Sequence, residues 1–225
     1  MTEAEWLGTV LTGNTYPEPM LRFLGKASER KLRLFACACV RRQWSLVEPI
    51  EQQAVAAAER FADGQATGKE LKEARFNCRG QGCFSSGAAA YKCASPTATQ
   101  AARLAQEWAW RALYRHREET GDPDSERTNT EEGAAQAHLL RDIFCPFRPV
   151  RIKPAWQTPQ AVALAQAAYD QREMPSGHLD PTRLAVLADA LEDAGCDNPD
   201  LLGHLRGPGP HVRGCWVVDL LLGEE

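Results

Sequence analysis

Two cysteines and two histidines, the residue types that bind zinc, lie close together near the end of the chain. They are Cys196, His204, His211 and Cys215, with seven, six and three residues between successive members. Thiolates and imidazoles form tetrahedral zinc sites, although this spacing matches no known zinc finger. If a helix spans the last segment, His211 and Cys215 share one of its faces. Two interpretations therefore stay open: the four residues bind zinc, or the cysteines are ordinary core residues.

Arginines surround a cysteine in the segment 28–44, which has the apolar periodicity of a helix. Guanidinium charge at i−4 and i+4 lowers a thiol pKa, so a reactive Cys37 is one hypothesis, with a thiol enzyme as its consequence. Clustered arginines also contact nucleic-acid phosphates. That alternative uses Arg30, Arg33, Arg41, Arg148 and Arg151. The plainest interpretation is a solvated basic face.

Three carboxylates are grouped near the end of another predicted helix, at Asp189, Glu192 and Asp193. Like charges one turn apart repel each other, and at a helix C-terminus they also oppose the helix dipole. A positive group is therefore expected beside them. Arg206 or Arg213 from the following loop, the basic surface of a partner protein, and a divalent cation are the alternatives. We take the partner protein as the preferred prediction.

Composition predicts a folded protein. The 225 residues are 44% hydrophobic and include six tryptophans, enough apolar surface to offset the entropy of ordering. The start, MTEAEWLGTV, has acids where a secretory signal has Lys or Arg, and no apolar run approaches the roughly 18–20 residues of a membrane span. We therefore expect a cytoplasmic protein with reduced cysteines and no membrane contact. No P-loop, G-x-S-x-G or H-E-x-x-H motif is present, so a non-enzymatic role is expected.

Helix signals dominate, and they predict a mainly α fold. Apolar stripes and caps predict helices over residues 28–44, 47–64, 67–76, 95–116, 130–144 and 199–206. Two further helices are predicted to begin at residues 159 and 181, and another is predicted in the terminal apolar run. Loops are predicted at 77–96 and 118–133 because Gly, Ser and polar residues accumulate there. The terminal run is expected to cover the apolar stripe of residues 184–191, as a helix in preference to a strand paired with Val150–Ile152.

Prolines and charge suggest how the chain is divided. Residues 1–145 form a bundle-like helical N-terminal domain, and 146–158 are a Pro-rich connector because three prolines there oppose helix formation. Residues 159–225 form a small, acidic, helical C-terminal module. The connector carries three basic residues, Arg148, Arg151 and Lys153.

The phrases LADALEDAG (residues 187–195) and GPGPHVRGCWVVDLLLG (207–223) resemble those of an uncharacterised planctomycete-type bacterial protein family. KLRLFACACVRRQW and LLRDIFCPFRPV are similar to further phrases of that family, and LADALEDAG also resembles a phrase of short repeat-companion domains. The resemblance implies an adaptor role and no catalytic residues. The sequence thus predicts a non-enzymatic interaction or adaptor protein. The alternative is a metal-stabilised or nucleic-acid-contacting module.

Overall fold

The computed structural model describes residues 1–8, 17–78, 87–121, 125–148 and 150–224. Over these ranges the chain forms twelve α-helices and two short 3₁₀ helices, with two isolated β-bridges and no sheet. The predicted mainly α fold is therefore confirmed. None of the helices in these ranges is long and apolar enough to cross a membrane. The chain divides into two compact units, Met1–Arg141 (unit 1) and Asp142–Glu225 (unit 2).

Unit 1 is built around two central helices. Its helices are α1 (Glu3–Leu7), α2 (Pro17–Leu24), α3 (Glu29–Arg41), α4 (Pro49–Ala62), α5 (Gly68–Asn77), α6 (Gly87–Cys93), α7 (Ala98–Thr120) and most of α8 (Ser125–Ile143), with a 3₁₀ turn at Trp44–Leu46. Helix α3 packs against α4, α6 and α7. The buried face of α7 is lined with alanines, including Ala101, Ala105 and Ala109, whose small side chains allow neighbouring helices to approach closely.

Capping residues and Gly- or Ser-rich segments predicted some helix ends in unit 1 correctly and others wrongly. The capping box at Thr67 and Glu70 is present, with the Glu70 amide donating to Thr67 Oγ1 over 3.2 Å. Helix α6, however, lies inside the segment predicted as a loop, because buried alanines with high helix propensity outweigh the surrounding Gly and Ser. Residues 79–86 of that loop, with Cys83, lie outside the described residues.

The ends of α7 and α8 also differ from the prediction. Helix α7 begins after Thr97 rather than at the Ser95-Pro96 pair, and it continues to Thr120 instead of His116. Helix α8 begins at Ser125, within the segment predicted as a polar loop. Polarity alone does not distinguish a loop from a helix with a polar face, so it did not locate these helix ends.

Unit 2 contains the best-predicted helices. They are α9 (Pro159–Asp170), α10 (Pro181–Asp193), α11 (Pro199–Leu205) and α12 (Trp216–Leu222), preceded by a 3₁₀ turn at Pro154–Trp156. The side chains of Thr158, Asp180 and Asn198 each accept a hydrogen bond from an amide in the first turn of the helix that follows. A proline occupies the first helical position each time, where its missing N–H costs nothing.

The end of the chain is part of the core of unit 2. Helix α12 buries Trp216, Val217 and Leu221 in one apolar cluster with the α10 stripe, so the predicted terminal helix is confirmed. Val212 lies before the helix and pairs with His178 in a β-bridge.

The segment predicted as a connector also packs within unit 2. Trp156 is only 3% exposed, and its indole N–H donates to the carbonyl of Gly195 over 3.2 Å. Val150 and Ile152 pack against the same core. Proline disrupts the interior of an α-helix, but it does not prevent an extended segment from burying its side chains.

Candidate metal centre and charged surfaces

Four side chains from different parts of unit 2 lie close together. Asp142 lies in the last turn of α8, His204 in α11, His211 in the loop after α11, and Cys215 immediately before α12. Their potential ligand atoms all lie within 4.8 Å of one another. We call this group the Asp-His-His-Cys cluster.

The carboxylate of Asp142 is at the centre of the cluster. Its Oδ1 lies 3.1 Å from His204 Nε2 and 2.7 Å from His211 Nδ1. Its Oδ2 accepts the Val212 amide N–H over 2.8 Å. His204 Nε2 is also 3.2 Å from Cys215 Sγ, while the far nitrogen of His211, Nε2, lies 3.4 Å from the Gly207 carbonyl oxygen. Each ring nitrogen named here therefore faces an acceptor or a thiol.

Burial and mutual charge act on the pKa values of the cluster in opposite directions. Burial alone would raise the pKa of Asp142, but the hydrogen bonds from His204 and His211 outweigh it and lower that pKa. Burial disfavours a charged His211, yet the hydrogen bond and charge of Asp142 raise its pKa. Burial, followed by the nearby Asp142 charge, raises the pKa of the Cys215 thiol well above its ordinary value. Burial therefore favours the neutral thiol at Cys215.

The structure brings together three of the four residues that the sequence suggested for zinc. Cys196 is the exception, because its side chain belongs to the apolar core of unit 2 and its amide N–H donates to the Leu191 carbonyl after the end of α10. Asp142 takes the fourth position. Sequence reasoning missed it because 62 residues separate it from His204. The available signal was a single carboxylate in the apolar helix end LLRDIF.

The basic face predicted along α3 is not solvated. Arg33 is 2% and Arg41 5% exposed. Arg33 donates to the carbonyls of Cys93, Ser95 and Pro96, and Arg41 pairs with Glu59 at 2.5 Å. This corrects the expectation of an exposed arginine face, because α3 is surrounded by other helices. Buried guanidinium groups with internal partners are out of reach of nucleic-acid phosphates.

The remaining arginines of the nucleic-acid alternative also have surroundings of their own. Arg30 pairs with Asp63 at 2.9 Å within unit 1. In unit 2, Arg148 pairs with Asp200 at 2.5 Å on the surface, and Arg151 is exposed. The structure therefore gives no support to a phosphate-binding patch on α3.

Cys37 lacks the properties of a reactive thiol. It is 1% exposed, and its hydrogen bond with Cys93 together with burial raises its pKa well above the ordinary value. The neighbouring Arg41 acts in the opposite direction but is outweighed. The expected activation of Cys37 by arginine is therefore wrong, because the Cys93 hydrogen bond and burial outweigh the arginine charge.

Arg206, from the same unit, pairs with two of the three carboxylates predicted to bind a partner. Arg206 binds Asp189 over 2.6 Å and both carboxylate oxygens of Glu192, over 3.0 and 2.5 Å. Its hydrogen bonds lower the pKa of Glu192. Arg213, the other arginine considered, lies over the ring of Tyr169 instead. Among the residues the structure describes, Asp193 has no cationic partner.

No protein-family model, curated protein or solved structure matches the chain. Function is therefore inferred from the geometry of these sites.

Proposed function

We propose that the chain is a non-enzymatic helical interaction protein, and that the C-terminal end of α10 binds a basic segment of a partner protein. The observation that supports this proposal is the excess of carboxylates at that end. Asp189, Glu192 and Asp193 are all exposed, and one guanidinium, from Arg206, contacts two of them. A net negative surface therefore remains on a fixed helix.

The position of these carboxylates makes them suited to recognition. The opposite face of α10 buries Leu184, Leu187 and Leu191 in the core, so the helix that carries the charges is held rigidly. The C-terminus of a helix adds a partial negative charge close to Asp193. A cationic segment thus meets a pre-ordered surface and avoids the entropy cost of ordering it.

Arg206 indicates the chemistry of the partner. Its guanidinium engages both oxygens of Glu192, a bidentate contact that lysine does not reproduce. We therefore propose an arginine-containing partner segment that binds Asp193 and shares or replaces the Arg206 contacts.

Charge reversal tests this proposal. The triple variant D189K/E192K/D193K is compared with the wild-type chain as affinity bait in a lysate of the source cells, with captured proteins quantified by mass spectrometry. We expect at least one protein captured by the wild type to be reduced on the order of tenfold or more with the triple variant, because attraction becomes repulsion. Urea denaturation should show little change in stability, since these side chains are exposed.

A matched control separates a specific surface from net charge. The variant D170K/E173K/D197K makes the same charge change at other exposed positions of unit 2. We expect it to retain the partner. Equal loss with both variants, or no partner that depends on residues 189–193, contradicts the proposal. A large loss of stability in D189K/E192K/D193K would assign those residues to the internal Arg206 pair.

A further inference from the structure

We propose that the Asp-His-His-Cys cluster binds one zinc ion through Asp142 Oδ1, His204 Nε2, His211 Nδ1 and Cys215 Sγ. The inference does not depend on the docking role of α10. It concerns how unit 2 is held together, and it assigns a structural metal site to residues that are distant in sequence.

The surroundings of His211 are compatible with a bound metal. Its Nδ1 faces the Asp142 carboxylate and its Nε2 faces the Gly207 carbonyl, and both of these oxygens can only accept hydrogen bonds. A neutral imidazole has one N–H, so it can satisfy one of them. A doubly protonated ring satisfies both oxygens, and so does metal on Nδ1, because Nε2–H then donates to the Gly207 carbonyl. A second hydrogen bond of this kind is typical of metal-binding histidines.

The two carboxylate oxygens of Asp142 have different partners. Its Oδ2 accepts the Val212 amide N–H, while its Oδ1 is directed to the two imidazole nitrogens. One oxygen is thus anchored by the backbone and the other is available as a ligand. Hydrogen bonds to the outer oxygen hold a carboxylate ligand in a fixed orientation.

Two separations within the cluster are close to those of a tetrahedral site. Zinc bond lengths of about 2.0–2.3 Å place neighbouring nitrogen and oxygen ligands about 3.3 Å apart, and nitrogen and sulfur about 3.6 Å apart. The corresponding separations from His204 Nε2 are 3.1 Å to Asp142 Oδ1 and 3.2 Å to Cys215 Sγ. The contact between His211 Nδ1 and Asp142, at 2.7 Å, must widen by about 0.6 Å. Small side-chain rotations can supply this change.

The charges of the ligands also match a divalent ion. One carboxylate, one thiolate and two neutral imidazoles carry two negative charges, so Zn²⁺ makes the cluster neutral. Neutrality matters here because Asp142, His211 and Cys215 are each at most 4% exposed, and an unbalanced buried charge is costly. His204 is partly exposed.

The donor set selects zinc over the common hard cations. Calcium and magnesium prefer six or more oxygen ligands, whereas this cluster offers two nitrogens, one sulfur and one oxygen. Four protein ligands fill a tetrahedral shell, as in structural zinc sites, and leave no position for a reactive water. The ion would tie the first residue of unit 2 to the segment 204–215. Its role is therefore stabilisation of the fold.

The test is elemental analysis of the full chain, purified under reducing conditions without chelator or a histidine tag. We expect one zinc per chain in the wild type and less than about a tenth of that in C215S and D142N, because each removes a ligand. C196S is the matched control. It changes another buried cysteine of unit 2 that lies outside the cluster, and it should retain zinc.

Cobalt substitution keeps the proposal testable if a variant does not fold. Metal-free wild-type protein titrated with Co²⁺ should develop the intense visible bands of tetrahedral cobalt and a thiolate charge-transfer band, saturating at one equivalent. A folded wild-type chain that binds neither zinc nor cobalt overturns the proposal and leaves a hydrogen-bonded cluster. Metal retained in full by folded C215S and D142N overturns it as well.

Discussion

At the scale of single residues, burial decides the chemistry of the cysteines. Of the seven that the structure describes, six are buried and Cys145 is partly exposed. Burial raises the pKa of Cys78 to about 11, and the Cys93 hydrogen bond and burial raise that of Cys37 well above its ordinary value. Thiolates, rather than thiols, react with electrophiles. A cysteine flanked by arginines can therefore be inert when the helix that carries it is enclosed.

Alkylation kinetics test this conclusion. In reduced, native protein treated with iodoacetamide at neutral pH, we expect Cys145 to react on the order of tenfold or more faster than Cys37, because Cys145 is accessible and Cys37 is buried. Peptide mass spectrometry measures each site, and rates in denaturant serve as the reference. Native Cys37 reacting as fast as Cys145 would revive the thiol-enzyme hypothesis.

At the scale of elements, the loop between α11 and α12 is shaped by glycine. Gly209 has φ +68°, and a Cβ built there would lie 2.9 Å from the His211 backbone nitrogen. Gly223, after α12, has φ +70°, but a Cβ there meets nothing within 4 Å. Both positions favour glycine for conformational reasons, and Gly209 also needs its small size. This loop places His211 beside Asp142.

The two glycines form a matched pair of alanine variants. We expect G223A to cost about 1 kcal/mol of unfolding free energy, from left-handed strain alone. For G209A we expect roughly 2–3 kcal/mol, because a clash with backbone adds to the strain. Urea denaturation of the full chain measures both. Equal losses would mean that the loop relaxes around the added methyl group.

At the scale of the whole molecule, unit 2 includes more chain than the acidic module predicted from sequence. It begins at Asp142 instead of residue 159, and it includes Trp156 and the segment before α9. A fragment that begins at the predicted boundary, residue 159, would lack Trp156 of the core and Asp142 of the Asp-His-His-Cys cluster. Deleting a buried tryptophan side chain alone costs about 3–5 kcal/mol.

Two fragments test this division. We expect residues 142–225 to unfold cooperatively in urea, followed by far-UV circular dichroism, because this unit has its own core. Residues 159–225 should lack a cooperative transition, since domain stability is commonly only about 5–15 kcal/mol. Equal stability of the two fragments would show that the segment 142–158 is dispensable for unit 2.

Local patterns in the sequence were sufficient where the stabilising contacts are local. Asp180-Pro181 and Asn198-Pro199 mark helix starts because the cap and the first turn are adjacent in the chain. The apolar stripe Leu184–Leu191 likewise identified the buried face of α10. Ser95-Pro96 gave a wrong start because Thr97, another possible cap, follows directly. Competing local signals are resolved by packing.

The sequence by itself determined the helical class, the caps of unit 2 and the burial of its last helix, because short-range periodicity and capping encode them. Only the tertiary structure decided that Arg33 and Arg41 are enclosed, since periodicity defines the faces of α3 but not the number of helices that cover them. It also decided that Asp142, and not Cys196, joins His204, His211 and Cys215. A contact across 62 residues depends on how the helices pack, and no local pattern specifies it.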